Sequence, residues 1–355
     1  MSARVLAVLA VLLAVLGGGA LLIREQGKAQ RPAASGTLGQ PLLKGLKAAE
    51  IAAISIRDAK GAITLARKED RWIVAERDGF PADLDKVRDF VLKAIELKIG
   101  QVEPLGEKDR ARLELDASGT TVEFQGADGK PLARLVAGKK HFKREPDDPA
   151  KALGDGRFVL LPQDTKQVYI VSDPLSQATS RTSEWIGKAG LAAEKVKSVE
   201  YRAADGTGWK IERSGDNADW KLAGARADEK LETSKANAAA YSFAILDIAD
   251  VAAKSMPPEA SGLAKPAVAT ATTFDGLTYG LKIGKAEGDN FYASVSLEGA
   301  PKPEGKDAEE RMKKLQERLP RERALAGHTL LISKSKLDDL QKKRAELLAA
   351  KQAKK

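Results

Sequence analysis

Cysteine is absent from the chain. That excludes a disulfide frame, a thiolate nucleophile and any metal site built on sulfur. Histidine is nearly absent too. His141 and His328 are the two present, far apart and without a partner at metal-ligand spacing. His141 lies beside a loop and reads as a solvated side chain, while His328 precedes a strand and reads as structural. Aromatic residues make up 5% of the chain. A nucleic-acid surface needs a basic face on a folded domain, with aromatics among the cations. The net charge of +9 invites that reading, but its location does not. Pro301–Lys355 holds 16 Lys or Arg against 9 Asp or Glu, which is seven of those nine charges. The body of the chain is close to neutral, and no nucleic-acid partner is expected.

Catalytic signatures are missing as well. Gly-Lys pairs recur at Gly129, Gly138 and Gly284, yet each lacks the upstream glycine that would let backbone amides cradle a phosphate. No Gly-x-Gly-x-x-Gly follows a strand, so a dinucleotide site has no support. No Gly-x-Ser-x-Gly elbow occurs. Asp216-Asn217-Ala218-Asp219 lacks the glycine and the bidentate glutamate of a calcium loop and reads as a hairpin turn. The acidic pairs Asp147-Asp148, Glu309-Glu310 and Asp338-Asp339 are sequence neighbours in polar stretches, where carboxylates stay solvated. General acid–base work needs two carboxylates converging on a cleft. No catalytic residue, cofactor or metal ligand is assigned, and the chain is not expected to be an enzyme. A hydrolase would need a carboxylate cluster that a sequence does not display.

One long apolar run is present. Val5–Ile23 is 19 residues without a charge, and as a helix it would span about 28 Å against a hydrocarbon core of about 30 Å. The competing reading is a cleavable signal peptide with Gly17-Gly18-Gly19-Ala20 as its small-residue region. Leu21-Leu22-Ile23 continues the run past that point, which favours an uncleaved anchor. Either reading sends the body out of the cytoplasm, and the anchored one makes this a single-pass inner-membrane protein with its body in the periplasm. Residues 24–46, rich in Gly, Ala, Gln and Pro, read as a flexible tether.

The rest of the chain reads as one unit written twice. Ile51-Ala-Ala-Ile54-Ser-Ile56, a turn at Lys60-Gly61, Ile63-Thr-Leu65 and Trp72-Ile-Val74 show the alternation of half-buried strands. Pro81-Ala82-Asp83 then opens a helix carrying Leu84, Val87, Val91, Ala94 and Ile95 on one face. The second writing is Val196-Lys-Ser-Val199-Glu-Tyr201, Trp209-Lys-Ile211, Trp220-Lys-Leu222 and a helical run ending near Ile245–Ile248. Further strands follow in each half. Leu113–Leu115, Thr120–Phe124, Leu132–Lys139, Phe158–Leu161 and Val168–Val171 come in the first. Ala271–Phe274, Leu277–Lys285, Phe291–Val295 and Leu330–Ile332 come in the second. Short Gly- and Asp-containing turns point to antiparallel meanders.

These readings give an α+β protein of two tandem related domains, each an antiparallel sheet flanked by helices. The divisions are an anchor over 1–23, a tether over 24–46, a first repeat domain over 47–190 and a second over 191–335. The second carries an insert at 299–323 that suggests a lid or arm. A basic amphipathic helix occupies 336–355. Asp173–Ala193 reads as a connecting helix with turns, and His141–Gly156 as an exposed loop. Trp72 and Trp220 close corresponding strands and read first as core residues. Together with Trp185 they are the candidates for ligand or partner contact, should they line a groove.

In order, the motif residues are Trp72, Pro81-Ala82-Asp83, Leu97-Lys98-Ile99, Gly138-Lys139 and Val168-Tyr169-Ile170-Val171, after an amino-terminal apolar helix. The closing Leu330-Leu331-Ile332 with Leu340 to Leu348 completes the set. This pattern is similar to the bacterial domain of unknown function family 4340, and the resemblance spans Lys47 to about Ala349. The second half departs from it, with no Pro-Ala-Asp before its helix and with the Gly299–Arg323 insert. Members of that family are often membrane-anchored and encoded beside ABC transporter subunits of the gliding-motility type. The resemblance therefore implies an accessory role at the cell envelope, with permease or ATPase subunits or other envelope proteins as partners. A periplasmic module binding polysaccharide or lipid is the alternative.

Overall fold

The computed structural model describes residues 36–69, 71–144, 146–152 and 154–349. The Val5–Ile23 run, residues 24–35 of the expected tether and residues 350–355 lie outside the described residues. Among those described, no helix is long and apolar enough to cross a membrane.

The chain is α+β, with two antiparallel sheets and few helices. The first half runs β1 (Ala53–Asp58), β2 (Gly61–Lys68), β3 (Arg71–Val74), β4 (Phe80–Pro81), α1 (Leu84–Ile95), β5 (Ile99–Pro104), α2 (Glu107–Arg112), β6 (Thr120–Gln125), β7 (Pro131–His141), β8 (Gly156–Leu161) and β9 (Asp164–Val171). The second runs β10 (Val196–Arg202), β11 (Gly208–Glu212), β12 (Lys221–Leu222), α3 (Thr233–Tyr241), β13 (Asp250–Val251), α4 (Pro258–Ser261), β14 (Ala267–Thr273), β15 (Thr278–Glu287), β16 (Asn290–Glu298), α5 (Ala308–Arg323), β17 (Leu330–Ser333) and α6 (Lys334–Leu337). The nine-stranded sheet has the order β4-β3-β2-β1-β6-β7-β8-β9-β5, and the eight-stranded one β12-β11-β10-β14-β15-β16-β17-β13. With β4 set aside, the two orders are the same strand for strand. By contacts the described residues form two compact units, 36–60 with 89–179 and 61–88 with 180–349.

Period-two alternation accounts for the strands. In the first unit Ile54 stands opposite Phe124 and Ile56 opposite Val122, all four fully buried. Each such side chain taken from water contributes about 1.5–3 kcal/mol. Phe90 of α1 lies over Phe124, ring centroids 6.1 Å apart. In the second unit large meets small: Val199 faces Ala271 and Tyr201 faces Ala269. The α1 face differs from expectation, since Leu84 is 57% exposed and Phe90 is buried with Val87, Val91 and Ala94. Asp83 does cap the helix, its Oδ1 accepting the N–H groups of Asp85 and Lys86 at 3.1 and 3.3 Å.

Four stretches differ from the expected elements. Leu113-Glu114-Leu115 is no strand: Glu114 adopts a left-handed backbone, φ 55°, which breaks extension. Asp173–Ala193 holds no α-helix, only a 3-10 turn at Thr182–Glu184. Over its described part the expected carboxy-terminal helix is α6, a turn, and a 3-10 helix at Arg344–Leu347. Its Leu337, Leu340 and Leu347 are fully buried. The end of the expected tether is fastened rather than free. Leu42 N–H donates to the Leu97 carbonyl at 2.7 Å and Gly39 N–H to that of Ile99 at 2.8 Å, while Leu42, Leu43 and Leu46 are buried. Residues 299–323 do contain a helix, α5, whose Leu315 and Leu319 are buried.

Both halves use the same fastenings. Before the first sheet, Pro41 bridges Lys98, and before the second, Leu191 bridges Leu246. After the first sheet, Ile186 bridges Ala82, Asp83 N–H donates to the Trp185 carbonyl at 2.7 Å, and Lys86 Nζ to the Ile186 carbonyl at 3.0 Å. After the second, Leu348 bridges Leu231, Glu232 N–H donates to the Leu347 carbonyl at 2.9 Å, and Lys235 Nζ to the Leu348 carbonyl at 3.3 Å. Residues 336–349 are thus the counterpart of 174–187, and 37–46 the counterpart of 188–195.

Candidate functional site

Two of the Gly-Lys pairs that resemble fragments of a phosphate loop, at Gly138 and Gly284, have a packing cause. A Cβ on Gly138 would lie 2.2 Å from the Leu113 carbonyl oxygen, and one on Gly284 would lie 2.2 Å from that of Ser261. In each half a short helix, α2 or α4, ends in a left-handed residue, Glu114 or Gly262 (φ 55° and 76°), and crosses over the strand glycine. Lys139 N–H donates to the Leu113 carbonyl at 2.8 Å. The glycines admit a backbone crossing, and no anion is needed to explain them.

The tryptophans are held within the fold. Trp185 is 1% exposed and Trp220 is 8% exposed, so neither can stack on a ligand arriving from solvent. Trp220 Nε1 donates to Asn237 Oδ1 at 2.8 Å, with the Arg213 guanidinium 4.8 Å from the ring centroid. Trp72 is half-buried on β3 opposite Arg67, and its carbonyl accepts the Ala82 N–H at 2.8 Å. The structure brings the three into no common groove. His141 is half-buried at the end of β7, edge-on to Phe158 at 5.5 Å, rather than solvated. His328 meets Phe80 edge-on at 5.0 Å, and burial holds its pKa below the ordinary value. Among the described residues no cluster of three His, Asp or Glu is placed to hold a metal ion.

One member of each acidic pair stands in an ion pair, Asp148 with Lys151 and Glu310 with Lys314 in the open and Asp339 with Lys342 half-buried. Such pairs contribute about 0–1 kcal/mol. Two buried carboxylates went unseen in the sequence, Asp275 and Glu322. Glu322, 2% exposed, lies 2.8 Å from Arg318 Nε, and burial pushes its carboxyl above the usual range. Its only sequence signal is the i,i+4 spacing to Arg318 on α5. Beside it, burial pushes the Tyr279 phenol up to about 12.

A cavity of about 580 Å³ opens in the first unit. Its apolar floor includes Leu42 and Leu43 of the fastened segment with Ile99, Leu132 and Leu161, and its rim carries Lys44, Glu123, Arg134 and Tyr169. Two motif residues, Ile99 and Tyr169, thus face it. Tyr169 OH donates to Asp164 Oδ2 at 2.8 Å, and burial first, then that bond, pushes the phenol up to about 12. Glu123 Oε1 accepts from Gln125 Nε2 at 2.6 Å, while Arg134 Nε stands 3.8 Å from Glu123 Oε2. The lining places two cations and one anion beside apolar side chains, an arrangement that can hold an amphiphile. The sequence pointed instead to tryptophans, because the lining comes from separate segments scattered between residues 37 and 169 without shared periodicity.

The fold defines a class, an α+β protein whose two antiparallel sheets share one strand order. The family described as Domain of unknown function (DUF4340) matches residues 72–266, a stretch from within β3 to the threshold of β14. That is more than half of the chain, and the chain belongs to this family. No curated protein and no solved structure matches it.

Proposed function

We propose that this is a non-enzymatic, membrane-anchored protein of the periplasm, a duplicated accessory subunit of an ABC-type transport or gliding-motility-like system. The observation that carries the reading is the fastening of Gly39–Leu43 onto Leu97–Ile99. Were Val5–Ile23 in the bilayer, the fastened Gly39 would follow the anchor by 16 residues along the chain, as suits a component that works at the membrane surface. Paired sheet domains offer faces and edge strands to partner subunits. Crosslinking the full-length protein in its native membrane, followed by detergent extraction, capture and mass spectrometry, tests this. Recovery of a permease with its ATPase supports the accessory role. Recovery of glycan or lipid without a stable protein partner sinks it. A polysaccharide- or lipid-binding module is the second reading, and the cavity of the first unit, lined by apolar and charged side chains together, favours it.

A further inference from the structure

We propose that the cavity of the first unit binds a phospholipid of the membrane that anchors the chain. One acyl chain lies against Leu42, Leu43 and Leu132, and the headgroup phosphate sits between Lys44 and Arg134. The inference rests on the anchored reading for the source of its ligand.

Three observations converge on it. First, apolar surface is exposed where it is costly. Leu38 and Leu132, 44% and 40% exposed, are two of the six large apolar residues left open to water in the described chain. Leu132 lines the cavity, and Leu38 adjoins Thr37, which lines it too. Leu132 thus offers an apolar side chain within the cavity mouth that burial by a ligand would take out of water. Second, on the anchored reading the described chain begins at this cavity, on the side of the sequence that leads to the anchor. Fourteen residue steps separate Ile23 from Thr37, at most about 50 Å at full extension. The cavity is therefore the part of the unit nearest along the chain to the bilayer, which raises the local concentration of lipid. Third, the charge is complementary. Lys44 and Arg134 face Glu123 alone at the rim, and Glu123 already accepts from Gln125. The 3.8 Å gap between Arg134 and Glu123 is beyond hydrogen-bond length, so the guanidinium can take a phosphate in a charge-assisted contact. A glycan would instead be expected to use several aromatic platforms, and Tyr169 is the one ring in the lining.

The test places the full-length protein in vesicles of phosphatidylcholine with phosphatidylglycerol, a fraction of the latter carrying a diazirine on one acyl chain. After illumination, mass spectrometry maps the labelled residues. Label is expected within 37–44 and 131–134. It should fall at least fivefold in Leu132→Asp and in Lys44→Glu, and stay unchanged in Val268→Asp, a comparably exposed control on β14. Millimolar inorganic phosphate should not displace it, and displacement would mean a free-phosphate site and overturn the proposal. Label that misses both segments, persists in Leu132→Asp, or gives way to crosslinks joining two copies of the chain at this rim also overturns it. Carbonate extraction of native membranes tests the anchor separately. Release of the protein sinks the anchored reading, while lipid label at the cavity in vesicles would still support the site.

Discussion

Alanine at Gly138 would put a methyl group 2.2 Å from the Leu113 carbonyl oxygen, 2.7 Å from Leu115 Cδ2 and 3.1 Å from the Glu114 carbonyl oxygen. Ordinary contact begins near 3.4 Å, so the crossing segment or β7 must move by more than 1 Å. The segment is not loose. Leu115 N–H donates to the Arg110 carbonyl and Lys139 N–H to that of Leu113, both at 2.8 Å. Leu113 and Leu115 are buried in a cluster with Leu160 and Val168. Moving them sacrifices one hydrogen bond, about 1 kcal/mol, and overpacks the cluster at about 1–3 kcal/mol. Gly138 does not have a left-handed backbone, so no backbone strain is added. The expected loss is about 2–4 kcal/mol. Gly284→Ala meets the Ser261 carbonyl at the same 2.2 Å and should behave alike. Gly129→Ala is the comparison, with φ 76° and open space around it; it carries only the left-handed cost of about 1–2 kcal/mol. In urea unfolding followed by circular dichroism, with a slope of about 2 kcal/mol/M, Gly138→Ala should lower the midpoint by about 1–2 M. A shift no larger than that of Gly129→Ala would refute the packing account of the Gly-Lys pair and reopen a ligand role for it.

Removing the cap of α1 by Asp83→Ala should cost about 1 kcal/mol in thermal or urea unfolding, and a loss within error would mean that the fastening to Trp185 alone holds the helix start. Asp275→Ala strips a partner from Arg311, a pair at 2.7 Å with side chains 5% and 11% exposed. Breaking such a pair costs about 3–5 kcal/mol, but Asp307 still holds Arg311 at 2.7 Å, so about 2 kcal/mol is expected. Hydrogen exchange should then quicken across Ala308–Arg323, and unchanged protection would show that Leu315 and Leu319 suffice. For Glu322 the pH dependence has a sign. Burial raises its folded-state pKa from the ordinary 4.5, so its favourable contribution is present below that value and is lost as pH rises through the raised one. Glu322→Gln removes that loss, and the stability difference should move toward the variant as pH rises above 4.5. Movement the other way would show that Arg318 outweighs burial.

The strands were legible because alternation is local. Ile54 and Ile56, Val122 and Phe124, and Leu281 and Ile283 each announce a buried face within five residues, and the matching order of the two halves announced the common sheet topology. Local pattern also misled. Leu113-Glu114-Leu115 alternates like a strand, yet the left-handed Glu114 turns it into a crossing segment. Leu84 fits the helical stripe but faces water, because α1 turns Phe90 toward Phe124. What could not be read were the fastenings. Leu42 meets Leu97 and Asp83 meets Trp185 through backbone groups, which carry no residue code and join positions about 55 and 100 apart. The cavity depends on the first of these fastenings, so it was invisible for the same reason.

The same logic bears on where function resides. Pro81-Ala82-Asp83, Gly138-Lys139 and Trp185 are the residues that draw attention in the sequence, and each has a structural duty: a helix cap and bridge, a backbone crossing, a buried carbonyl acceptor. Leu231-Glu232 makes the same fastening in the second half without the Pro-Ala-Asp letters. The motif is therefore one solution to a backbone geometry, since any residue pair able to present the bridge and the N–H will serve. Motif positions thus identify the fold, whereas activity has to be sought where the two halves differ. One such place is the Leu38, Lys44, Leu132 and Arg134 rim in the first. The other is the α5 insert, with its Arg311–Asp275 and Arg318–Glu322 pairs, in the second.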